Sequence, residues 1–147
     1  MSADNKALVR RYVEEVLNKR NLDLIDDLFA PTFIDHDSSM PEAKGPAGVK
    51  RLAAMVHASF PDLHFTIEDM IAERDKVVYR YSVRGTHQKD FMGIAATGKE
   101  ITFTGIHIYR VNDGKLQEEW ENWDTLAGCG ARSCAGCGSG ISRAARA

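Results

Sequence analysis

Residues 101–124 read ITFTGIHIYRVNDGKLQEEWENWD. Two alternating runs, Ile101 to Val111 and Lys115 to Asp124, flank Asn112-Asp113-Gly114. Asp-Gly between alternating runs predicts a β-hairpin, because these residues accept the backbone geometry of a tight turn. Alternation then sorts the side chains. His107 shares a face with Phe103, Gly105 and Tyr109, opposite Ile106, Ile108 and Arg110. On the return strand Glu119, Glu121 and Trp123 share one face, and Leu116, Glu118, Trp120 and Asn122 the other. A histidine and carboxylates among apolar and aromatic side chains are the parts of a proton-transfer site.

The rest of the chain supplies what this hairpin packs against. Leu8, Tyr12 and Val16, with Val9 and Val13 beside them, predict an amphipathic helix over 4–18. A short second helix covers 22–29 with Leu24, Ile25 and Leu28 inward, and Pro31 ends it. Residues 32–36 form a short β-prone run, followed by a polar loop. Gly45-Pro46 opens a third helix, with proline in its first turn and Val49, Leu52, Val56 and Phe60 as its buried stripe. Strands are predicted at about 63–72, 77–84, 101–111 and 115–124. Val77 and Val78 adjoin, which leaves the faces of the run 76–84 ambiguous. A Gly/Thr-rich loop, 85–99, leads into the hairpin. Helices followed by antiparallel strands indicate a single α+β domain over 1–126, its helices packed on one face of a curved sheet. A pocket is expected where such a sheet and its helices form a cone with an apolar mouth.

Charge and cysteine usage narrow the function. The net charge is −2 and no apolar run reaches the ~20 residues of a membrane span, so neither nucleic acid nor membrane is an expected partner. The polar, helical start does not read as a signal peptide, which makes a cytoplasmic location the expectation. Residues 127–147 hold three arginines and no acid, leaving 16 basic against 21 acidic side chains in residues 1–126. All three cysteines, Cys129, Cys134 and Cys137, also fall in this Gly/Ala-rich tail, for which disorder is the expectation. Three cysteines without a fourth do not make an iron–sulfur or zinc site.

Several residues invite a chemical reading beside a structural one. Asp35-His36-Asp37 has the composition of a metal site, but neighbours on a strand point to opposite faces, so no metal is expected there. Asp35 reads either as a cavity carboxylate or as a turn cap. Tyr12 lies on the apolar face of the first helix, where core packing is the commoner role. Glu119 reads as a residue of the rim. Trp120 and Trp123 point to opposite faces, one toward a cavity and one outward. His87 sits near the mouth or in solvent. His57 and His64 give no readable signal.

The motifs Arg84-Gly85-Thr86-His87, Phe91-Met92-Gly93-Ile94, Thr97-Gly98-Lys99, the Asp113-Gly114-Lys115 turn and E-x-W-x-x-x-D from Glu118 to Asp124 resemble the SnoaL-like polyketide and ester cyclases. These belong to the superfamily of nuclear-transport-factor-like (cystatin-like) α+β cones. The match runs from about Lys6 to Leu126. The resemblance implies a cone-shaped fold, a homodimer, a closed apolar cavity and no cofactor. It implies ring closure of a polyketide by intramolecular aldol condensation, as in the founding members. It also implies pairing of a strand histidine, His107, with a carboxylate on the next strand. Glu121 stands there, where members more often have aspartate. More distantly, R-Y-V-x-x-x-L-N from Arg11, followed by L-D-x-I and x-L-F, resembles ketosteroid isomerase. That similarity places Tyr12, Asp35 and His107 in one cavity, with histidine where the isomerase has an acid.

The expected reaction is therefore lyase- or isomerase-type chemistry on a small apolar carbonyl compound. Glu121 or Asp35 takes the α proton, and His107, with Tyr12, stabilises the enolate. Tyr109, Glu119 and Trp123 are the further cavity residues. Two alternatives stand beside this reading. A dry cavity with unperturbed carboxylates would favour a non-catalytic binding module. A polar, wet cavity would favour hydrolysis of a small epoxide.

Overall fold

The computed structural model describes residues 2–37 and 43–125. The expectation of disorder for 127–147 lies outside them. The chain opens with α1 (Ser2–Arg11), which continues without a break as a wider π-helical segment, Tyr12–Asn18. An i→i+5 bond, from the Lys19 amide to the Glu14 carbonyl at 3.0 Å, marks the widened coil. Val9, Tyr12, Val13, Val16 and Leu17 are buried along it. Apolar spacing predicted this helix but could not show its widening. Asn18 ties the helix end to the sheet, as its side chain exchanges two hydrogen bonds with the Phe65 backbone, at 2.8 and 3.0 Å.

The second helix is shorter than its apolar pattern. A 3₁₀ turn at Leu22–Leu24 leads into α2 (Ile25–Leu28), and the strand β1 (Phe29–Asp35) begins at Phe29. Pro31 lies inside this strand. β1 is an edge strand, the place where a missing N–H is tolerated. The third helix, α3 (Gly45–Ser59), begins at a glycine with φ +62, whose added Cβ would lie 3.0 Å from the Pro31 carbonyl oxygen. Only a residue without Cβ both turns left-handed and approaches β1 that closely.

The strands β2 (His64–Glu73), β3 (Lys76–Thr86), β4 (Glu100–Asn112) and β5 (Lys115–Trp123) complete a five-stranded sheet ordered β1-β5-β4-β3-β2. β2 to β5 pair antiparallel, whereas β1 adds to β5 in parallel, so the sheet is mixed and open. The chain reaches β1 from the helices, and that sets its direction. The hairpin turn carries positive φ at Asp113 and Gly114, as its sequence requires. In β3 the ambiguity resolves: Val77, Tyr79, Tyr81 and Val83 all point inward.

One face assignment fails. Strict alternation put Leu116 outward with Glu118, yet it is fully buried. The register steps from Val111↔Leu116 to Arg110↔Glu118, so Gln117 is an extra residue. This bulge returns Leu116 to the core while Glu119 and Glu121 still face inward. On the outer face Ile106 is 45% exposed, whereas Trp120 is covered by the stacked His36 ring and by the Arg110 guanidinium.

Candidate active site

The inner face of the sheet and the underside of the helices enclose a cavity of about 120 Å³. Its wall is mainly apolar on the helical side, where Leu17, Val49, Leu52, Val56 and Phe60 contribute. The sheet side is different. Register across the strands aligns Asp35 (β1), Glu119 (β5) and Tyr109 (β4) in one row. Glu121 (β5), His107 (β4) and Tyr79 (β3) form the next. Trp123, Gly105 and Tyr81 form a third. Asp35, Tyr12, His107, Glu119, Glu121, Trp123 and Tyr81 all line the cavity. Tyr109 is fully buried behind it.

At the centre is His107. Its Nδ1 lies 2.5 Å from Glu119 Oε1 and its Nε2 lies 2.5 Å from Glu121 Oε1. The Tyr109 hydroxyl is 3.3 Å from Nδ1. The Tyr81 hydroxyl donates to the same Glu121 oxygen. Burial by itself lowers the basicity of the imidazole, but the Glu121 and Glu119 carboxylates outweigh it and hold its pKa at about 10. His107 is therefore an imidazolium at neutral pH, flanked on both nitrogens. Glu119 is 8% exposed, so the expectation that it lies at the rim is corrected. Two residues upstream of Glu121 on one strand, it shares its inward face.

The two other carboxylates are pulled apart. The net shift of Glu121 is downward. Burial pushes it up, and the His107 imidazolium with the His107 and Tyr81 hydrogen bonds pulls it further down. Asp35 goes the other way, to about 7, because burial and then the Glu119 charge both disfavour its ionised form. The Asp37 amide, 2.8 Å from Asp35 Oδ1, opposes this only in part. Burial, reinforced by the Glu119, Glu121 and Asp35 charges, keeps the Tyr12 phenol well above its ordinary value, so it is a neutral donor.

The sequence did not single out Tyr79 or Tyr81. Tyr79 stacks on the His107 ring at 5.1 Å, and Tyr81 meets it edge-on at 4.8 Å. The missing signal is Gly105: a Cβ there would collide with the Tyr81 hydroxyl and lie 2.9 Å from the Trp123 Cβ. The glycine leaves the space through which Tyr81 reaches Glu121. His36 leaves the site altogether and stacks on Trp120 with its Nε2 3.2 Å from Glu118. His87 is buried against Phe60, not solvated. His107, Glu119 and Glu121 also form the one group of potential metal ligands among the described residues. Both imidazole nitrogens already face a carboxylate, an arrangement that suits a charged ring better than a metal-bound neutral one.

The fold has close counterparts. A SnoaL-like polyketide cyclase proposed from Jannaschia sp. CCS1 superposes with a TM-score of 0.83, covering 90% of this chain and 94% of its own at 22% identity, which speaks for the fold alone. AclR from Streptomyces galilaeus, proposed to be a hydroxylase, is 28% identical with a TM-score of 0.77, over 88% and 95% of the two chains. IdmH from Streptomyces antibioticus, proposed to be a polyketide cyclase, is 27% identical with a TM-score of 0.72, over 86% and 96%. No curated protein matches the chain in sequence. The profile of the SnoaL-like polyketide cyclases matches residues 7–129, from the first helix through the hairpin that holds His107 and both glutamates. By that match, which spans most of its length, the chain belongs to the SnoaL-like polyketide cyclase family.

Proposed function

We propose that this chain is a cofactor-independent cyclase that closes a ring by intramolecular aldol addition. The substrate is a small apolar molecule with two carbonyl groups. Asp35 is the base. Its carboxylate takes the proton α to one carbonyl, and the electrons of that C–H bond move into the enolate. The enolate carbon then attacks the second carbonyl of the same molecule, forming the C–C bond. The resulting alkoxide takes its proton back from Asp35, which restores the catalyst.

His107 and Tyr12 divide the task of stabilising the negative oxygen. Both N–H groups of His107 are committed to carboxylates, so its contribution is positive charge rather than a direct bond. Tyr12 is the neutral hydroxyl on the cavity wall that donates to the oxygen. Glu119, Glu121 and Tyr81 keep the imidazolium charged and fixed.

The observation that carries this reading is the Asp35 carboxyl at about 7 in a mainly apolar cavity. A base titrating near the working pH takes and returns a proton most effectively. Perturbed carboxylates argue against a plain binding module, and the mainly apolar wall argues against water-activating hydrolysis. The test is exchange of α protons for deuterium in β-keto esters and polyketones, followed by NMR across pH 5–11. Exchange should rise with a midpoint near 7 as Asp35 ionises, and fall near 10 as His107 loses its proton. Binding without exchange would leave the binding-module reading standing.

A further inference from the structure

The helical wall of the cavity contains one titratable side chain that the reaction above does not use. His57, on α3, is 8% exposed and lines the cavity. Its neighbours on that side, Leu17, Leu52, Ala53, Val56 and Phe60, are apolar. Its Nε2 is 2.9 Å from the Leu17 carbonyl, in the last turn of the π-helical segment. A carbonyl can only accept, so Nε2 carries the proton. Burial, more than the charge of Arg20, lowers the pKa of this imidazole, and the ring is neutral at pH 7. In a neutral ring with Nε2–H, Nδ1 is a bare acceptor. It has no hydrogen-bond partner among the described residues.

A histidine needed only to cap Leu17 would use one of its two nitrogens and leave the acceptor of the other idle in an apolar wall. The charged sheet side can answer the carbonyl end of a ligand. On the helical side Tyr12 is the other polar side chain lining the cavity, and the reaction above assigns its hydroxyl to the carbonyl end. We infer that His57 is a specificity residue whose Nδ1 accepts a hydrogen bond from a hydroxyl or phenol at the end of the substrate remote from the reacting carbonyl. The substrate class is then an apolar dicarbonyl compound with a distal hydroxyl. This deepens the cyclase reading and rests on it for the orientation of the substrate.

The test uses two probes, 2-acetonaphthone and 6-hydroxy-2-acetonaphthone, which differ only in the distal hydroxyl. Titration calorimetry on the full chain should give about 5–10-fold tighter binding of the hydroxylated probe, the worth of one neutral hydrogen bond. His57→Leu should erase that preference while keeping the affinity for the parent ketone, and His57→Gln, which restores an acceptor, should recover part of it. In the wild-type protein labelled with ¹⁵N-histidine, the His57 Nδ1 resonance should shift with the hydroxylated probe and not with the parent. This second readout holds even if His57→Leu does not fold. Equal binding of the two probes, failure of both to bind, or a preference that persists in His57→Leu with an unmoved Nδ1 resonance would overturn the inference. Exchange of the methyl-ketone protons is read separately. A hydroxyl preference that depends on His57 without exchange would sink the cyclase reading and leave the binding role intact.

Discussion

Edge strand β1 and hairpin β4–β5 each place a carboxyl in the same cavity, and the two behave oppositely. Asp35 on β1 meets burial and the Glu119 charge with only the Asp37 amide to help its ionised form. Glu121 on β5 is buried as well, but it touches the His107 imidazolium and the Tyr81 hydroxyl. Burial is common to both, so the partner decides the sign. A carboxylate beside a cation is stable and a poor base. One left with a like charge is ready to take a proton. The strand pairing that lines Asp35 up with Glu119 adds to burial in holding the Asp35 proton, whereas Glu121 is kept ionised by its partner His107.

The largest test of this contrast is on turnover. Asp35→Asn should lower α-proton exchange by about 10²–10⁴-fold, the range for a lost general base. Full exchange in that variant would move the base to the hairpin and erase the distinction. Glu121→Gln should cost less, about 10–100-fold, because it removes a hydrogen bond to a charged group rather than the base. It should also draw the alkaline limb of the pH–rate profile downward from about 10, because His107 loses the larger of the two charges holding its proton. An unmoved alkaline limb would mean that His107 is not the group titrating there.

Smaller effects sharpen the same comparison. Gly105→Ala drives a methyl group against the Tyr81 hydroxyl and Trp123, and should destabilise the fold by about 1–3 kcal/mol by chemical denaturation. Tyr81→Phe should not reproduce that loss of stability, because the ring still packs. A tolerated Gly105→Ala would show that the row Trp123, Gly105, Tyr81 is looser than its contacts imply. Last, Asp35→Asn should raise the melting temperature by about 2–5 °C at pH 8. In the folded wild type Asp35 keeps its proton up to about 7, so stability falls as pH rises from the ordinary carboxylate range to 7, and the full cost remains above it. Asparagine removes that cost, and the gain should vanish near pH 4. The His107 contribution runs in the same direction at higher pH. It is fully present below 6.5 and is lost as pH rises toward 10. Equal melting temperatures at pH 8 would argue that Asp35 is not held against its preference.

Much of this was legible in the sequence. The hairpin, its turn and the shared face of Glu119, Glu121 and Trp123 follow from alternation, whereas the pairing His107↔Glu121 was expected from the family resemblance and is set by the bulge, since the turn alone would place Trp120 opposite His107. Leu116 escaped because a bulge at Gln117 leaves no mark in an alternating pattern. Glu119 was misjudged because alternation gives a face but not a depth. Tyr79 and Tyr81 were hidden by the adjoining valines 77 and 78. Gly105, opposite Tyr81 in the register, was the available clue to them.

By itself the sequence determined the local structure and the inventory: three apolar helix stripes, a run of alternating strands, an Asp-Gly turn, and an unusual density of acids around one histidine. These depend on near-neighbour periodicity, which a linear chain displays. Tertiary structure decided what depends on residues far apart in the chain. It brought β1 beside β5, so that Asp35 faces Glu119 rather than solvent. It carried His57 to the Leu17 carbonyl 40 residues away. It also set which carboxyl holds its proton near neutral pH, because a pKa is fixed by the charges and the burial around a group, and neither exists until the chain has folded.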